Sequence, residues 1–345
     1  MKNRPFGLDI GGQTIKAVWL SEENGSFRLK AFAQSPTPQK GMLSDSPFDQ
    51  EEMAMSIRKM VKDAKITTPF VNFALPDSQV YTRVIEVPVL SEKELSLAIY
   101  WEAEQYIPLP LANVTIDWSI LRKPTPESGE KMQVLLVGAP TILLDKYQKI
   151  LTMADLSINS VEPEILATIR PLTIGKQYPT SLIVSIGDLN TSFAIIKDGQ
   201  IVFTYSIAAG GIALTRAVAS DFGFTITQAE DYKNTYGVLH NALGAKIGKS
   251  TEPILMSIIT EIKKAVAFYL EKYKDDHMPI QQIVISGAEA KLPGIDLFFA
   301  KNCGIETVIA NPLRQLGLEE SVPKQALEQA SKYAIVIGLA MRDYE

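Results

Sequence analysis

The chain has 345 residues, of which 46% are hydrophobic and 21% charged, and its formal net charge is -5. This length exceeds the usual size of one compact core, so we predict an ordinary globular protein with two lobes. The acidic balance and the lack of a basic stripe argue against nucleic-acid binding. No apolar run reaches the roughly 18 residues of a spanning helix, so we expect a cytoplasmic location without direct membrane insertion.

Residue types that hold metals or form disulfides are scarce in this chain. Cys303 is the only cysteine, which excludes an internal disulfide and thiolate metal clusters. His240 and His277 are the only histidines, and their neighbours are typical of loops. We therefore interpret both as solvated side chains rather than as ligands or bases.

The N-terminal stretch FGLDIGGQTIKAV predicts two strands joined by a glycine turn. Apolar residues alternate on both sides of the Gly11–Gly12 pair. The Asn24–Gly25 pair predicts the next hairpin turn, because both residues tolerate positive φ. A P-loop is excluded, since Lys16 has the wrong spacing from the glycines and a strand, not a helix, follows.

The next segments predict a helix and then an inserted subdomain. Residues 49–64 form an amphipathic pattern with Asp49 as N-cap. Residues 68–154 contain the patterns of two strands and a helix, followed by two more strands and a second helix. We interpret this segment as a compact inserted subdomain. Ser91 and Glu94 predict a capping box for its first helix.

The pattern of the N-terminal hairpin recurs about half a chain later. The stretch LIVSIGDLNTSFAIIKDGQIVF again predicts strand, glycine turn, strand, Asp-Gly turn and strand. Similarity over this distance favours two related lobes built from α/β layers. The predicted division is a first lobe over 1–67 and 155–180 with part of the C-terminal helix 324–343, and a second lobe over 181–345 with a smaller subdomain at 212–279.

The second half also predicts several helices. One follows the Gly210–Gly211 pair, and another is capped by Thr227 with Glu230. A long helix is predicted to begin with Pro253 in its first turn. The residues from 324 onward predict one continuous C-terminal helix.

The two glycine turns together predict a phosphate site. Backbone N–H groups converge at a hairpin tip without side chains, and such a nest attracts phosphate oxygens. A single glycine hairpin is usually structural, but two copies with matching flanks favour the functional interpretation. Lys16 would add a positive charge near the β- and γ-phosphates, and Asp9 would orient Mg²⁺ through its waters.

A third turn, SGAEAKLPG, follows a buried strand and predicts a place for a flat base. Gly287 and Ala288 would let an adenine lie against the backbone. Glu230 and Lys233, one helical turn apart, would reach the ribose or the base edge. Without the other turns, these two residues would be interpreted as a solvated helix pair.

The order DxGxxxxK, IGxxxTS, AExxK and SGxxxxLPG resembles the actin-like (ribonuclease H-like) nucleotide-binding fold over nearly the whole chain. More narrowly, RVIEVPVLSEKELSLAIYWEAEQYIPLP, VLLVGAP, INSVEPE and AEDYKNTYG resemble the PilM family of type IV pilus assembly. The WEAEQYIPLP segment is the most specific part. The resemblance implies a two-lobed ATPase fold that binds ATP with Mg²⁺ between its lobes, with an inserted subdomain like that of FtsA.

The resemblance also implies site residues and a partner. The partner is the N-terminal cytoplasmic tail of a PilN-like protein in the inner-membrane platform of the pilus, which would hold this chain at the membrane periphery. Its groove is expected between the first lobe and residues 68–154. The residues that match the family's site are Gly11, Gly12, Gln13, Thr14 and Lys16 in the first phosphate turn, Asp9 toward the metal, Gly187, Asn190 and Thr191 in the second turn, Gly210 and Gly211 in the ribose-side loop, Glu230 and Lys233 in the nucleoside helix, and Gly287 and Ala288 in the adenine turn.

One position departs from the family's pattern. Many actin-like ATPases carry an acidic residue where this chain has Ser185, and a serine cannot supply the charge that orders Mg²⁺ and the attacking water. Glu162 is a candidate to compensate, with a structural surface role as the alternative. We therefore expect slow or absent turnover, with ATP acting as a conformational ligand.

Two other functions remain open at this stage. Small-molecule kinases share the fold, although the sequence contains no evident sugar pocket. A polymerising, membrane-associated protein like FtsA is the other alternative, for which a basic amphipathic C-terminal helix would be expected. The apolar stretch AIVIGLAM near the C-terminus favours a packed helix instead.

Overall fold

A computed structural model describes residues 4–174, 178–238, 242–274 and 278–344. His240 and His277 lie outside these ranges, so their interpretation stays a prediction. The strands are β1 (Phe6–Ile10), β2 (Thr14–Glu23), β3 (Ser26–Pro36), β4 (Phe70–Leu75), β5 (Tyr81–Val87), β6 (Val114–Arg122), β7 (Met132–Pro140), β8 (Ser157–Pro163), β9 (Ser181–Ile186), β10 (Thr191–Lys197), β11 (Gln200–Ile207), β12 (Gln282–Ser286) and β13 (Glu306–Ile309). The α-helices are α1 (Pro47–Asp63), α2 (Glu92–Glu104), α3 (Thr141–Met153), α4 (Glu164–Leu172), α5 (Gly211–Phe222), α6 (Ile226–Tyr236), α7 (Ala242–Lys272), α8 (Ile295–Cys303), α9 (Pro312–Gln315), α10 (Lys324–Leu327) and α11 (Ala334–Met341).

Two five-stranded sheets share one topology. The first has the order β3-β2-β1-β4-β8, and the second has the order β11-β10-β9-β12-β13. In both sheets three antiparallel strands are followed by two parallel ones. Strands β1 and β9 are buried along their whole length, as expected for central strands covered on both faces. The shared topology agrees with the internal similarity in the sequence.

A third sheet, with the order β5-β7-β6, carries helix α2. The capping box of α2 is confirmed, since the Ser91 hydroxyl accepts from the Glu94 N–H and the Glu94 carboxylate accepts from the Ser91 N–H. The sheet is shorter than the predicted insertion over 68–154. Strand β4 pairs with β1 of the first sheet, and α3 packs beside α1 in that sheet's core. Apolar burial against the first sheet therefore decides where these flanking elements lie.

The C-terminal segment packs across the first sheet, but it is not the single helix predicted over 324–343. Helix α10 ends at Leu327, a 3₁₀ turn spans Ala330–Tyr333, and α11 follows. The Ser331 carbonyl accepts from the Gly287 N–H and the Ser286 hydroxyl, so it serves the third turn instead of a helix.

Helix α11 lies unusually close to α4. A Cβ added at Gly338 would lie 1.8 Å from the Ala167 carbonyl oxygen, so a glycine is needed at this contact. Seven of the eight residues of α11 are buried. The helix is therefore part of the core that positions α4.

Three predicted helix starts are wrong. Helix α1 begins at Pro47, and Asp49 lies in its first turn, where its carboxylate accepts from the Ser44 hydroxyl. The capping box of α6 is made by Thr225 and Gln228 instead of Thr227 and Glu230, because the helix starts two residues earlier.

Helix α7 begins at Ala242 and contains Pro253 in its interior. Ile247 and Leu255 are both fully buried on either side of the proline. The burial of these side chains offsets the loss of the backbone hydrogen bond that the proline cannot make.

Candidate functional site

The two glycine turns meet at one cleft between the two large sheets. In the first turn the Gly11 N–H donates to the Thr14 carbonyl at 3.1 Å, and in the second the Gly187 N–H donates to the Asn190 carbonyl at 2.9 Å. The tips touch directly, since the Gln13 N–H donates to the Asp188 carboxylate at 3.0 Å. Equivalent hairpins from the two sheets thus face each other.

The cleft has a volume of about 310 Å³ and is lined from both sides. Its walls include lysines as well as carboxylates. The predicted site residues among its lining are Asp9, Gly11, Gly12, Gln13, Thr14, Lys16, Gly187, Asn190, Gly287 and Ala288. Lysines that the sequence did not single out, Lys40, Lys291 and Lys332, also line it.

Asp9 and Lys16 form a buried ion pair beneath the first turn. They lie opposite each other in the β1–β2 ladder, and the Lys16 Nζ is 2.7 Å from Asp9 Oδ2. Their side chains are 4% and 9% exposed. The antiparallel register therefore fixes both groups at the cleft wall.

Lys332 comes from the C-terminal segment and is the most perturbed of the cleft lysines. Burial lowers the pKa of its ammonium to about 8, and the charges of Lys16 and Lys291 act in the same direction. A bound anion would relieve this mutual repulsion. The cleft is therefore suited electrostatically to a polyanion.

Glu164, the first residue of α4, brings a carboxyl group into the same cleft. Burial raises the pKa of this group well above its usual range, and the charges of Asp77 and Asp9 add to the effect. Asp77 accepts the Ile165 N–H at 3.2 Å, and burial raises its pKa as well. Burial therefore favours the protonated form of Glu164 over the carboxylate that would act as a base.

Glu162 does not line the cleft, contrary to the suggestion that it compensates for Ser185. Its carboxylate is 2.7 Å from Arg170 and 2.5 Å from Arg342, and it is buried. Two arginines hold the carboxylate in place. Glu162 lines a cavity other than this cleft. Ser185 itself is buried at the cleft wall.

Four predicted residues support the cleft from behind without lining it. The Thr191 hydroxyl donates to the Ala209 carbonyl at 2.6 Å. The Gly211 N–H donates to the Gly187 carbonyl at 2.9 Å, which ties α5 to the second turn. The residues that lie behind the wall are Thr191, Gly210, Gly211 and Lys233.

Lys233 is enclosed rather than directed at a ligand. Its Nζ lies 2.9 Å from Glu230, donates to Glu289 at 3.0 Å and contacts the Gly211 carbonyl at 3.4 Å. The side chain is 1% exposed, which corrects the expectation that it reaches a ribose or a base. Its ammonium is neutralised internally because two carboxylates converge on it.

Glu230 retains a partly exposed position beside the main cleft. It lines an adjoining cavity of about 430 Å³ that also contains Gln13 and Ile212, which both line the main cleft. Its carboxylate accepts from the Thr215 hydroxyl and from the Asn234 amide. Glu230 thus lies at a continuation of the cleft beyond the first turn.

Another cavity, of about 720 Å³, lies between the first and third sheets. Strands β6 and β8 each form the last strand of their sheets, and both line it. Residues of β6 and of the middle of α4 form much of the cavity wall. The lining includes Thr115, Asp117, Ser119, Leu121, Val161, Glu162, Leu166, Ile169, Arg170 and Arg342.

The described ranges offer neither a preformed metal cluster nor a membrane-spanning helix. They contain no group of three or more His, Cys, Asp or Glu side chains that could hold a metal ion. No helix within them is long and apolar enough to cross a bilayer.

Comparisons with known proteins agree on the fold and the family. The family described as "Type IV pilus assembly protein PilM" matches residues 7–344. A solved PilM-PilN type IV pilus biogenesis complex is 25% identical, with 99% of each chain covered and a TM-score of 0.85. Cell division protein FtsA of Streptococcus pneumoniae is 22% identical in an alignment of length 327 that covers 84% of this chain and 71% of that protein. MreB5 of Spiroplasma citri, bound to ADP, is 16% identical, with a TM-score of 0.52 over 99% of this chain and 96% of that one.

These similarities confirm the actin-like α/β fold with its repeated sheets. They also confirm the resemblance found in the WEAEQYIPLP segment and its neighbours. The chain belongs to the PilM family of type IV pilus assembly proteins.

Proposed function

We propose that this chain is an ATP-binding scaffold of type IV pilus assembly. It binds the N-terminal cytoplasmic tail of a PilN-like inner-membrane protein, and ATP acts as its conformational ligand. The partner holds it in the cytoplasm at the periphery of the inner membrane, within the pilus platform. The observation that carries the proposal is the meeting of two equivalent glycine hairpins at a lysine-lined cleft.

The residues of the cleft fit a nucleoside triphosphate. Glycine tips from both sheets provide close backbone approach, and Lys16, Lys291 and Lys332 provide positive charge. Gly287 and Ala288 line the cleft at the third turn, where a base would lie against the backbone. Glu230 lies at the adjoining cavity, where it suits a ribose hydroxyl.

Mg²⁺ fits only in a supporting role. Asp9 is already paired with Lys16, and no cluster of three ligands occurs in the described ranges. Mg²⁺ usually keeps several waters and binds through phosphates with one or two carboxylates. Asp9 would accordingly orient metal-bound water, and phosphate oxygens would supply the direct ligands.

Slow or absent turnover follows from the available side chains. Ser185 carries no charge, burial favours the protonated form of Glu164, and Glu162 is held by two arginines. An attacking water therefore lacks a general base among these residues. ATP then works by favouring one arrangement of the lobes.

The tail groove is proposed to be the cavity between β6 and β8. An extended peptide adds readily to an open strand edge, with main-chain hydrogen bonds for affinity and side-chain pockets for specificity. Leu121 and Leu166 offer apolar pockets, while Asp117 and Arg170 offer charges of both signs. Two sheet edges within one cavity make it the best match to a short tail.

ATP binding is tested by titration calorimetry of the purified, nucleotide-cleared protein with ATP and Mg²⁺. We expect one site per chain and a loss of at least about tenfold in affinity for Lys16→Met, because a charge-assisted phosphate contact is lost. Lys30→Met, on the exposed strand β3, is the matched control. An absence of binding at millimolar ATP would contradict the nucleotide part of the proposal.

Tail binding is tested with a synthetic peptide of the partner's cytoplasmic N-terminus. Leu121→Asp should weaken binding by more than about tenfold, because it places a charge in an apolar pocket. Leu97→Asp makes the same change on the exposed face of α2, where Leu97 is 69% exposed, and should leave the affinity unchanged. Equal affinity in all three proteins would place the tail elsewhere.

A further inference from the structure

Asp188 occupies a position at the second turn that the phosphate motif does not explain. The motif residues around it are Gly187, Asn190 and Thr191, and Asp188 lies between them at the tip. Its carboxylate accepts the Gln13 N–H at 3.0 Å, across 175 positions of sequence. A Cβ added at Gly12 would also lie 3.0 Å from the same oxygen.

An amide N–H donates one strong hydrogen bond at a time. The Gln13 N–H belongs to the turn that is proposed to hold phosphate, and a carboxylate oxygen is already its acceptor. A phosphate oxygen that takes this amide must displace Asp188. The displaced carboxylate would stay beside a ligand of the same charge, because the second turn is fixed to α5 by the Gly211 and Ile212 N–H groups.

We propose that Asp188 is an internal competitor for the phosphate site, a specificity residue that lowers nucleotide affinity in proportion to phosphate charge. This inference rests on the proposed nucleotide binding and deepens it. Asp188 joins the hairpins of the two large sheets. A polyphosphate that displaces Asp188 breaks this contact, and the two lobes can then change their relative positions. Burial raises the pKa of the Asp188 carboxyl, in keeping with a carboxylate held in a confined place.

The groups that face Asp188 agree with this role. Lys16, Lys233 and Asp9 lie close enough for their charges to act on it. Lys16 is paired with Asp9, and Lys233 is paired with Glu230 and Glu289. Because both lysines have carboxylate partners of their own, Asp188 is not needed to neutralise either of them.

The test compares wild type with Asp188→Asn, which keeps the shape of the side chain and removes its charge. Titration calorimetry with ATP, ADP and adenosine, each with Mg²⁺ present, gives three affinities per protein. We expect Asp188→Asn to bind ATP about tenfold more tightly than wild type, since a hydrogen bond to a charged acceptor no longer has to be broken. The gain should be smaller for ADP and absent for adenosine.

Asp198→Asn is the matched control, since Asp198 lies at the far hairpin of the same sheet and is exposed. Asparagine tolerates the positive φ of 52° found at this position. The ATP affinity of Asp198→Asn should therefore equal that of wild type. An unchanged or weaker ATP affinity in Asp188→Asn would overturn the inference, as would an equal gain for adenosine.

The outcomes also separate this inference from the proposed function. If wild type binds ATP and Asp188→Asn gains nothing, only the competitor role fails. If wild type shows no binding and Asp188→Asn does bind, the competitor role is supported. If neither protein binds ATP, both the nucleotide site and the competitor role are wrong.

Discussion

Single residues at the cleft show how position sets chemistry. Lysine side chains with the same intrinsic basicity behave differently here: Lys16 has a carboxylate partner, Lys233 has two, and Lys332 faces other lysines. The first two are held in ion pairs within the protein. Lys332 is the one whose protonation should respond to a bound anion.

Lys332 should make ATP affinity depend on pH. Its pKa in the free protein is lowered to about 8, and a bound polyphosphate favours the charged ammonium, so binding takes up a proton above that pH. Affinity should accordingly fall as pH rises above about 8, by up to about tenfold per pH unit. Calorimetry at pH 7 to 10 measures the slope.

The matched variant for this prediction is Lys332→Arg, which stays charged throughout the range. Its affinity should change little between pH 7 and 10. If the arginine variant keeps the slope of wild type, a group other than Lys332 is responsible.

At the scale of elements, helix α4 links the two cavities. Its first residue, Glu164, lines the proposed nucleotide cleft, whereas Leu166, Ile169 and Arg170 line the proposed tail groove. At its N-terminus, the Ile165 N–H donates to the Asp77 carboxylate. Farther along, Ala167 of α4 packs against Gly338 of α11. A displacement of α4 would therefore change the walls of both cavities.

Gly338→Ala should destabilise the protein because the added methyl group overlaps the Ala167 carbonyl at 1.8 Å. We expect a loss of about 3 kcal/mol or more in the free energy of unfolding, the upper end for overpacking. Urea denaturation measures it. Gly248→Ala in α7 makes the same change where the nearest atom is 3.4 Å away, and should be neutral or stabilising by up to about 1 kcal/mol. Equal effects of the two variants would show that α11 can move away from α4 at little cost.

At the scale of the whole molecule, the third sheet also contacts the second sheet. The Thr204 hydroxyl on β11 donates to the Thr82 carbonyl at 2.9 Å, and the Ser206 hydroxyl donates to the Asp77 carbonyl at 3.2 Å. Lys272 pairs with Glu86 at 2.7 Å. The sheet that lines the proposed groove is thus in contact with both sides of the proposed nucleotide cleft.

This arrangement predicts that ATP and the tail peptide are coupled. We expect ATP to change peptide affinity by about fivefold or more, within the usual range of coupling between sites. Thr204→Val removes one contact between the second and third sheets and should reduce the coupling while leaving each ligand's own affinity near that of wild type. Peptide titrations with and without ATP measure it.

The control is Thr307→Val on β13, where the hydroxyl donates to the nearby Ile305 carbonyl instead of to another sheet. It should keep the full coupling. If Thr204→Val retains the same coupling as this control, the contact between β5 and β11 does not transmit the effect of ATP.

The sequence alone determined the glycine hairpins, the duplicated sheet pattern and the α2 capping box, because turn residues and side-chain alternation act over a few neighbouring positions. Only the tertiary structure decided that β4 and α3 join the first sheet, that Lys233 is enclosed by two glutamates and that Lys332 reaches the cleft. The same holds for Asp188 on the Gln13 amide, a contact across 175 residues. The physical reason is that ion pairing, desolvation and amide occupancy depend on groups distant in sequence, and no local pattern records which of them folding brings together.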